Sequence, residues 1–125
     1  RVVVRSPERA ADVAALAETL GLRCGFLPFA ASAELTEACR SARVVVSTVP
    51  SPATAPIIDS VRVAPAVVDV IYNPWPTPLA AAVTASGGRI VGGLVMLLNQ
   101  AYSQVEQFTG LPAPREAMAA AITDT

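Results

Sequence analysis

Short apolar runs alternate with stretches of helical spacing along most of the chain. Val2, Val3 and Val4 are consecutive β-branched residues, the pattern of a short strand buried on both faces as in a parallel sheet. Ser6-Pro7-Glu8 then predicts a helix start, with Ser6 as N-cap, Pro7 at the first helical position and Glu8 at the positive end of the dipole. Ala10, Val13, Ala14, Ala17 and Leu20 follow helical spacing, and Gly21 supplies a left-handed stop.

The alternation continues with a strand at 23–27, a helix at 33–40, a strand at 43–47, a short helical stretch at 57–60 and a strand at 66–72. Prolines at 74, 76 and 78 stiffen a loop before a helix at 79–85 and a last strand at 89–92. Strands alternating with helices predict right-handed crossovers and an α/β fold with a parallel sheet and helices on both faces. The tail departs from this pattern. A long helical repeat at 93–109, carried by Leu94, Leu97, Leu98, Ala101, Val105 and Phe108, stops at Gly110, and a short helix at 115–122 follows Pro112 and Pro114.

Composition limits the chemistry. The 125 residues suit one domain, and 53% hydrophobic against 15% charged residues is the balance of a chain that folds. All nine basic residues are Arg and there is no His, so the commonest general base, the Schiff-base amine and the P-loop lysine are all absent. A net charge of −1 gives no reason to expect nucleic acid. No apolar run is long enough for a membrane span and no secretory signal is visible, so the expected location is cytoplasmic, with Cys24 and Cys39 as reduced thiols. No metal-ligand cluster suggests itself. The chain opens on Arg1 rather than Met, so it is expected to be the later portion of a longer protein.

In an open parallel sheet, ligands bind beyond the carboxyl ends of the strands, so the turns there are the places to search. Arg5 and Ser6 follow the first strand, with Arg9 one turn on. A guanidinium there suits the 2′-phosphate of a dinucleotide in charge and geometry, although a solvated Arg beside a capping Ser gives the same residues. Thr48 and Val49 follow the third strand, where small and hydroxylic residues suit a flat cofactor or a plain strand exit. Tyr72, in the run from Asp69 to Pro78, offers a phenol to a substrate or serves as a boundary aromatic. Gly92-Gly93 lets the backbone approach a ligand at a helix N-terminus. Gln100 lies two turns further on nearly the same face, either partnered or exposed, and Met96 is either a contact or core filler.

The run Asp69-Val70-Ile71-Tyr72-Asn73-Pro74 to Thr77-Pro78-Leu79, with Gly93-Leu94, Met96-Leu97, Gln100-Ala101 and the stretch from Gly110 to Pro112, resembles the C-terminal half of shikimate dehydrogenase. The resemblance spans essentially the whole chain. It implies a Rossmann-like NADP-binding domain at 1–92 that lacks its first strand and Gly-rich loop, followed by two C-terminal helices at 93–125 that pack back toward a substrate domain. The implied reaction is reversible NADP-dependent reduction of 3-dehydroshikimate to shikimate, in aromatic amino-acid biosynthesis.

By the same resemblance Arg5, Ser6 and Arg9 face the 2′-phosphate and adenosine of NADP, and Thr48 and Val49 lie beside its middle. Val70, Gly93 and Met96 lie near the nicotinamide, and Tyr72 and Gln100 reach the substrate. The family's catalytic Lys and Asp belong to the substrate domain, before Arg1, so no catalytic residue is expected in this chain and the chain alone is expected to be inactive. Three positions depart from the family pattern: Val4 stands for the usual Asn, Gly92 for an acid and Val95 for a second Gly. The implied partners are the substrate domain and shikimate or 3-dehydroshikimate, and a homodimer is compatible. A quinate/shikimate dehydrogenase using NAD is the near alternative, which Arg5 disfavours, and a non-catalytic fragment that binds only nucleotide or a partner is the distant one.

Overall fold

The computed structural model describes residues 1–123. Five strands, all paired in parallel, alternate with helices in the order expected: β1 (Val2–Val4), α1 (Ala11–Thr19), β2 (Phe26–Pro28), α2 (Ala33–Ser41), β3 (Val45–Ser47), α3 (Ile58–Val61), β4 (Ala66–Asp69), α4 (Pro78–Ala85) and β5 (Arg89–Gly92). Two helices, α5 (Gly93–Thr109) and α6 (Arg115–Thr123), follow among the described residues. The architecture is α/β and Rossmann-like. It comes as two sheets, β1-β2 and β3-β4-β5, because β1 and β3 do not pair with each other.

The core belongs mainly to the second sheet. Val67 of β4, Leu79 and Val83 of α4 and Leu35 of α2 are each at most 1% exposed, with Leu27, Cys39, Ile57, Val61 and Ala64 completing one cluster. Ser32 caps α2 by accepting from the Leu35 amide at 3.0 Å, and the Thr36 hydroxyl donates to Ser60 at 3.0 Å, tying α2 to α3.

Several boundaries move from the sequence-based expectation. The first helix opens as a 3₁₀ turn, Pro7–Ala10, and Ser6 does not cap it: its hydroxyl donates to the Glu8 carboxylate, a stronger acceptor two residues away. That bond, with a backbone amide, holds the Glu8 carboxyl below its ordinary range. Gly21 does close α1 at φ +66°, with the Leu22 amide bonded to the Ala17 carbonyl and the Gly21 amide to Glu18. β2 lies at Phe26–Pro28 rather than 23–27, in register with Val2–Val4, and Pro28 is tolerated at the outer edge of the pair. β4 stops at Asp69 because the Asp69 side chain takes the Ile71 amide at 3.3 Å. The helically spaced apolar residues here are largely exposed: Val13 is 44% and Leu20, just past the end of α1, 61% accessible, and α1 buries no residue, since a two-stranded sheet is too narrow to cover it.

Candidate functional site

Parallel pairing puts the carboxyl ends of the strands on one rim, and the register fixes who sits next to whom. Ser47 pairs with Asp69 and Asp69 with Gly92, so Thr48, Val70 and Gly93 are successive neighbours just past the strand ends. Two bonds lock that row: the Val70 amide donates to the Ser47 carbonyl at 3.0 Å, and the Gly93 amide to the Ile71 carbonyl at 3.2 Å. Val49, Val70 and Met96 are half-buried, whereas Thr48 is exposed.

Asp69, which the sequence presents as a strand acid without a role, organises the loop that carries Tyr72. It is 1% exposed, and Thr77, also 1% exposed, donates its hydroxyl to the Asp69 carboxylate at 2.6 Å. The same Thr77 oxygen accepts from the Ala80 amide at 3.0 Å and so caps α4. Both ends of residues 70–77 are thereby pinned, leaving Tyr72 on an exposed but anchored loop, 54% accessible. A Thr directly before Pro at a helix start, eight residues after a strand Asp, was the available signal for this pair.

Gly93 of the paired glycines has an internal explanation. A Cβ on Gly93 would lie 2.0 Å from the Val70 carbonyl oxygen, and one on Gly92 would lie 2.8 Å from the Trp75 ring. Close packing of α5 on the Tyr72 loop therefore requires Gly93, where the obstacle is backbone, whereas a Cβ at Gly92 meets only the far edge of the Trp75 side chain. Gln100 is exposed on α5, two turns beyond Gly93.

At the other end of the rim, Arg5 and Arg9 are exposed and Ser6 is half-buried. A cavity of about 470 Å³ lies beside Arg5, lined also by Val4, Pro7 and Phe29. Among the described residues the ion pairs are Glu37–Arg40, Asp59–Arg62 and Glu106–Arg115, so the Arg5 and Arg9 guanidinia are engaged by no carboxylate. Two guanidinia engaged by no carboxylate at a strand end form a donor set that fits a phosphate, with the Ser6 hydroxyl between them donated to Glu8. Among those residues no group of His, Cys, Asp or Glu is arranged to hold a metal ion, and no helix is long and apolar enough to cross a membrane. Cys24 is exposed and Cys39 buried, both as free thiols, and burial pushes the Cys39 thiol up.

Residues 93–123 match the shikimate 5′-dehydrogenase C-terminal domain. Over the whole chain, the crystal structure of Mycobacterium tuberculosis shikimate dehydrogenase is 48% identical with a TM-score of 0.90, covering 99% of this chain and 47% of that one. The chain belongs to the shikimate dehydrogenase family, as its C-terminal half. A shikimate 5-dehydrogenase from Mycobacterium fortuitum is 49% identical with a TM-score of 0.87, covering 96% of this chain and 44% of its own. The Thermus thermophilus enzyme, solved in complex with NADP(H) and shikimate, is 29% identical with a TM-score of 0.64 and 98% and 44% coverage. The chain thus spans just under half the length of these shikimate dehydrogenases. Among curated proteins nothing matches.

Proposed function

We propose that this chain is the cofactor-side half of an NADP-dependent shikimate dehydrogenase, acting in the reversible reduction of 3-dehydroshikimate to shikimate in aromatic amino-acid biosynthesis in the cytoplasm. The observation that carries the choice of NADP is Arg5, an unpaired guanidinium just past the end of β1, where a dinucleotide fold distinguishes a 2′-phosphate from a 2′-hydroxyl. Arg9 adds a second cation on the next turn, and Ser6 adds a hydroxyl that must leave Glu8 to face the phosphate. Residues 1–92 hold the cofactor, with Thr48 and Val49 beside its middle and Val70, Gly93 and Met96 at its nicotinamide end.

The bound cofactor supplies hydride chemistry. The residues of this chain bind and orient. Tyr72, on the loop pinned by Asp69 and Thr77, offers its phenol toward the substrate, and Gln100 offers its amide from α5. The helices at 93–123 lean toward the substrate domain, in keeping with Phe108 and Leu111 on their surface at 85% and 66% exposure. Proton transfer is assigned to that domain, because this chain carries neither Lys nor His, the commonest residues for it.

Calorimetric titration tests the reading. NADP is expected to bind more tightly than NAD, and Arg5→Ala should weaken NADP by at least about ten-fold, as loss of a charge-assisted contact implies, with little effect on NAD. Equal losses for the two cofactors would remove Arg5 from the 2′-phosphate. Turnover of shikimate with NADP is expected from the complete enzyme and not from the 125-residue chain alone.

A further inference from the structure

The turn proposed for the 2′-phosphate carries a residue that works against a phosphate. Glu8 stands between Arg5 and Arg9 in one turn, which the Arg9 amide closes by donating to the Ser6 carbonyl at 3.2 Å. The Glu8 carboxylate accepts from the Ser6 hydroxyl and, among the described residues, forms no ion pair with Arg5 or Arg9. That bond, with a backbone amide, keeps the carboxyl below its ordinary range, so Glu8 is charged at neutral pH. Glu8 and both guanidinia are exposed. The remaining lining of the cavity beside Arg5, Val4, Pro7 and residues 26–29, is apolar, so no other acid lines it.

We infer that Glu8 is a cofactor-selectivity residue, which opposes the 2′-phosphate of NADP and leaves the 2′-hydroxyl of NAD unopposed. Two effects act together. The first is proton supply: a hydroxyl has one proton to donate, and carboxylates and ionised phosphates only accept. Ser6 therefore serves Glu8 or the phosphate, not both at once. The second is charge. A phosphate that takes the Ser6 proton lies within one Debye length, about 8 Å at physiological salt, of the carboxylate that gave it up, so dissolved ions do not screen their repulsion away. A 2′-hydroxyl meets neither obstacle, being uncharged and itself a donor to a carboxylate. Arg5 and Arg9 carry the preference for NADP, and Glu8 reduces it.

The inference rests on the reading of Arg5 as the 2′-phosphate contact, and the two fail in different ways. Calorimetric titration of the complete enzyme with NADP and with NAD separates them. Glu8→Gln removes a charge from an exposed position and should tighten NADP by about two- to five-fold, the scale of an exposed charge pair, without tightening NAD. NADP bound no more tightly, or NAD tightened by the same factor, would overturn the inference while Arg5→Ala still weakened NADP alone. Ser6 gives a second readout. Ser6→Ala should weaken NADP more in a Glu8→Ala background than in the unsubstituted enzyme, because only there is the hydroxyl free for the phosphate. An equal loss in both backgrounds would remove the competition for the Ser6 proton, and the inference with it. Equal losses of NADP and NAD on Arg5→Ala would instead overturn the assignment of this turn to the 2′-phosphate, on which the inference depends.

Discussion

The N-terminal unit β1-α1-β2 and the central unit β3-β4-α4-β5 are built from the same strand-helix alternation, yet the second carries most of the core and the first adds only Leu27 to its buried cluster. Val67, Leu79 and Val83 of the central unit are at most 1% exposed, whereas Val13 and Leu16 of α1 and Leu20 just after it are 44%, 59% and 61% accessible. The helices differ little in apolar content. What differs is the width of sheet beneath them: β4 is paired on both sides, while β1 is paired only with β2. Burial in a parallel sheet thus depends on how many strands flank the one a helix covers, and an apolar stripe on a helix reports only that some partner is needed.

Substitutions along that contrast should separate the two units, beginning with the largest effect. Leu79→Ala removes a side chain at 1% exposure from the centre of the cluster and should destabilise the chain by about 2–5 kcal/mol in urea unfolding. Thr77→Val keeps the volume but takes the hydroxyl from a buried carboxylate and uncaps α4, for an expected loss of about 2–3 kcal/mol; Thr77→Ser should recover most of it. Gly21→Ala forces a Cβ into the left-handed stop of α1, at an expected cost of about 1 kcal/mol, with space no obstacle because nothing lies within 4 Å. Leu16→Ala, on the exposed face of α1, should stay within about 0.5 kcal/mol. A loss from Leu16→Ala comparable to that from Leu79→Ala would erase the distinction between the units.

The same contrast separates what the sequence makes legible from what it does not. Gly21 and Gly110 mark the ends of α1 and α5 because a left-handed residue is a local requirement, met at φ +66° and +68°. β4 and α4 are legible because a β-branched run and a compact apolar helix are buried where their patterns say. Non-local choices are harder to read. The register of β2 is set by Val2–Val4 and not by its own residues, and the exposure of α1 by the pairing of β1.

At the rim, the turns that carry Arg5, Thr48, Val70 and Gly93 follow from strand ends alone, and the rule that ligands gather there needs no coordinates. The spacing of Asp69 and Thr77 signals the pair but does not establish its bond. Their roles depend on a bond that closes only when a loop of known path brings an oxygen within 2.6 Å of a carboxylate. Gly93 teaches the converse, since the paired glycines suggest a ligand but Gly93 is already required by the Val70 backbone. Ser6 shows that a good capping residue yields to a nearby carboxylate.

Native-state hydrogen exchange of the unmodified chain tests the division most directly, because it reads both units in one experiment. The amides of Val67 and Val68 in β4 should exchange only through global unfolding, while Val4 and Leu27 in the β1-β2 pair should exchange faster through a smaller opening, with lower dependence on denaturant. Equal protection and equal denaturant dependence in the two units would contradict the division.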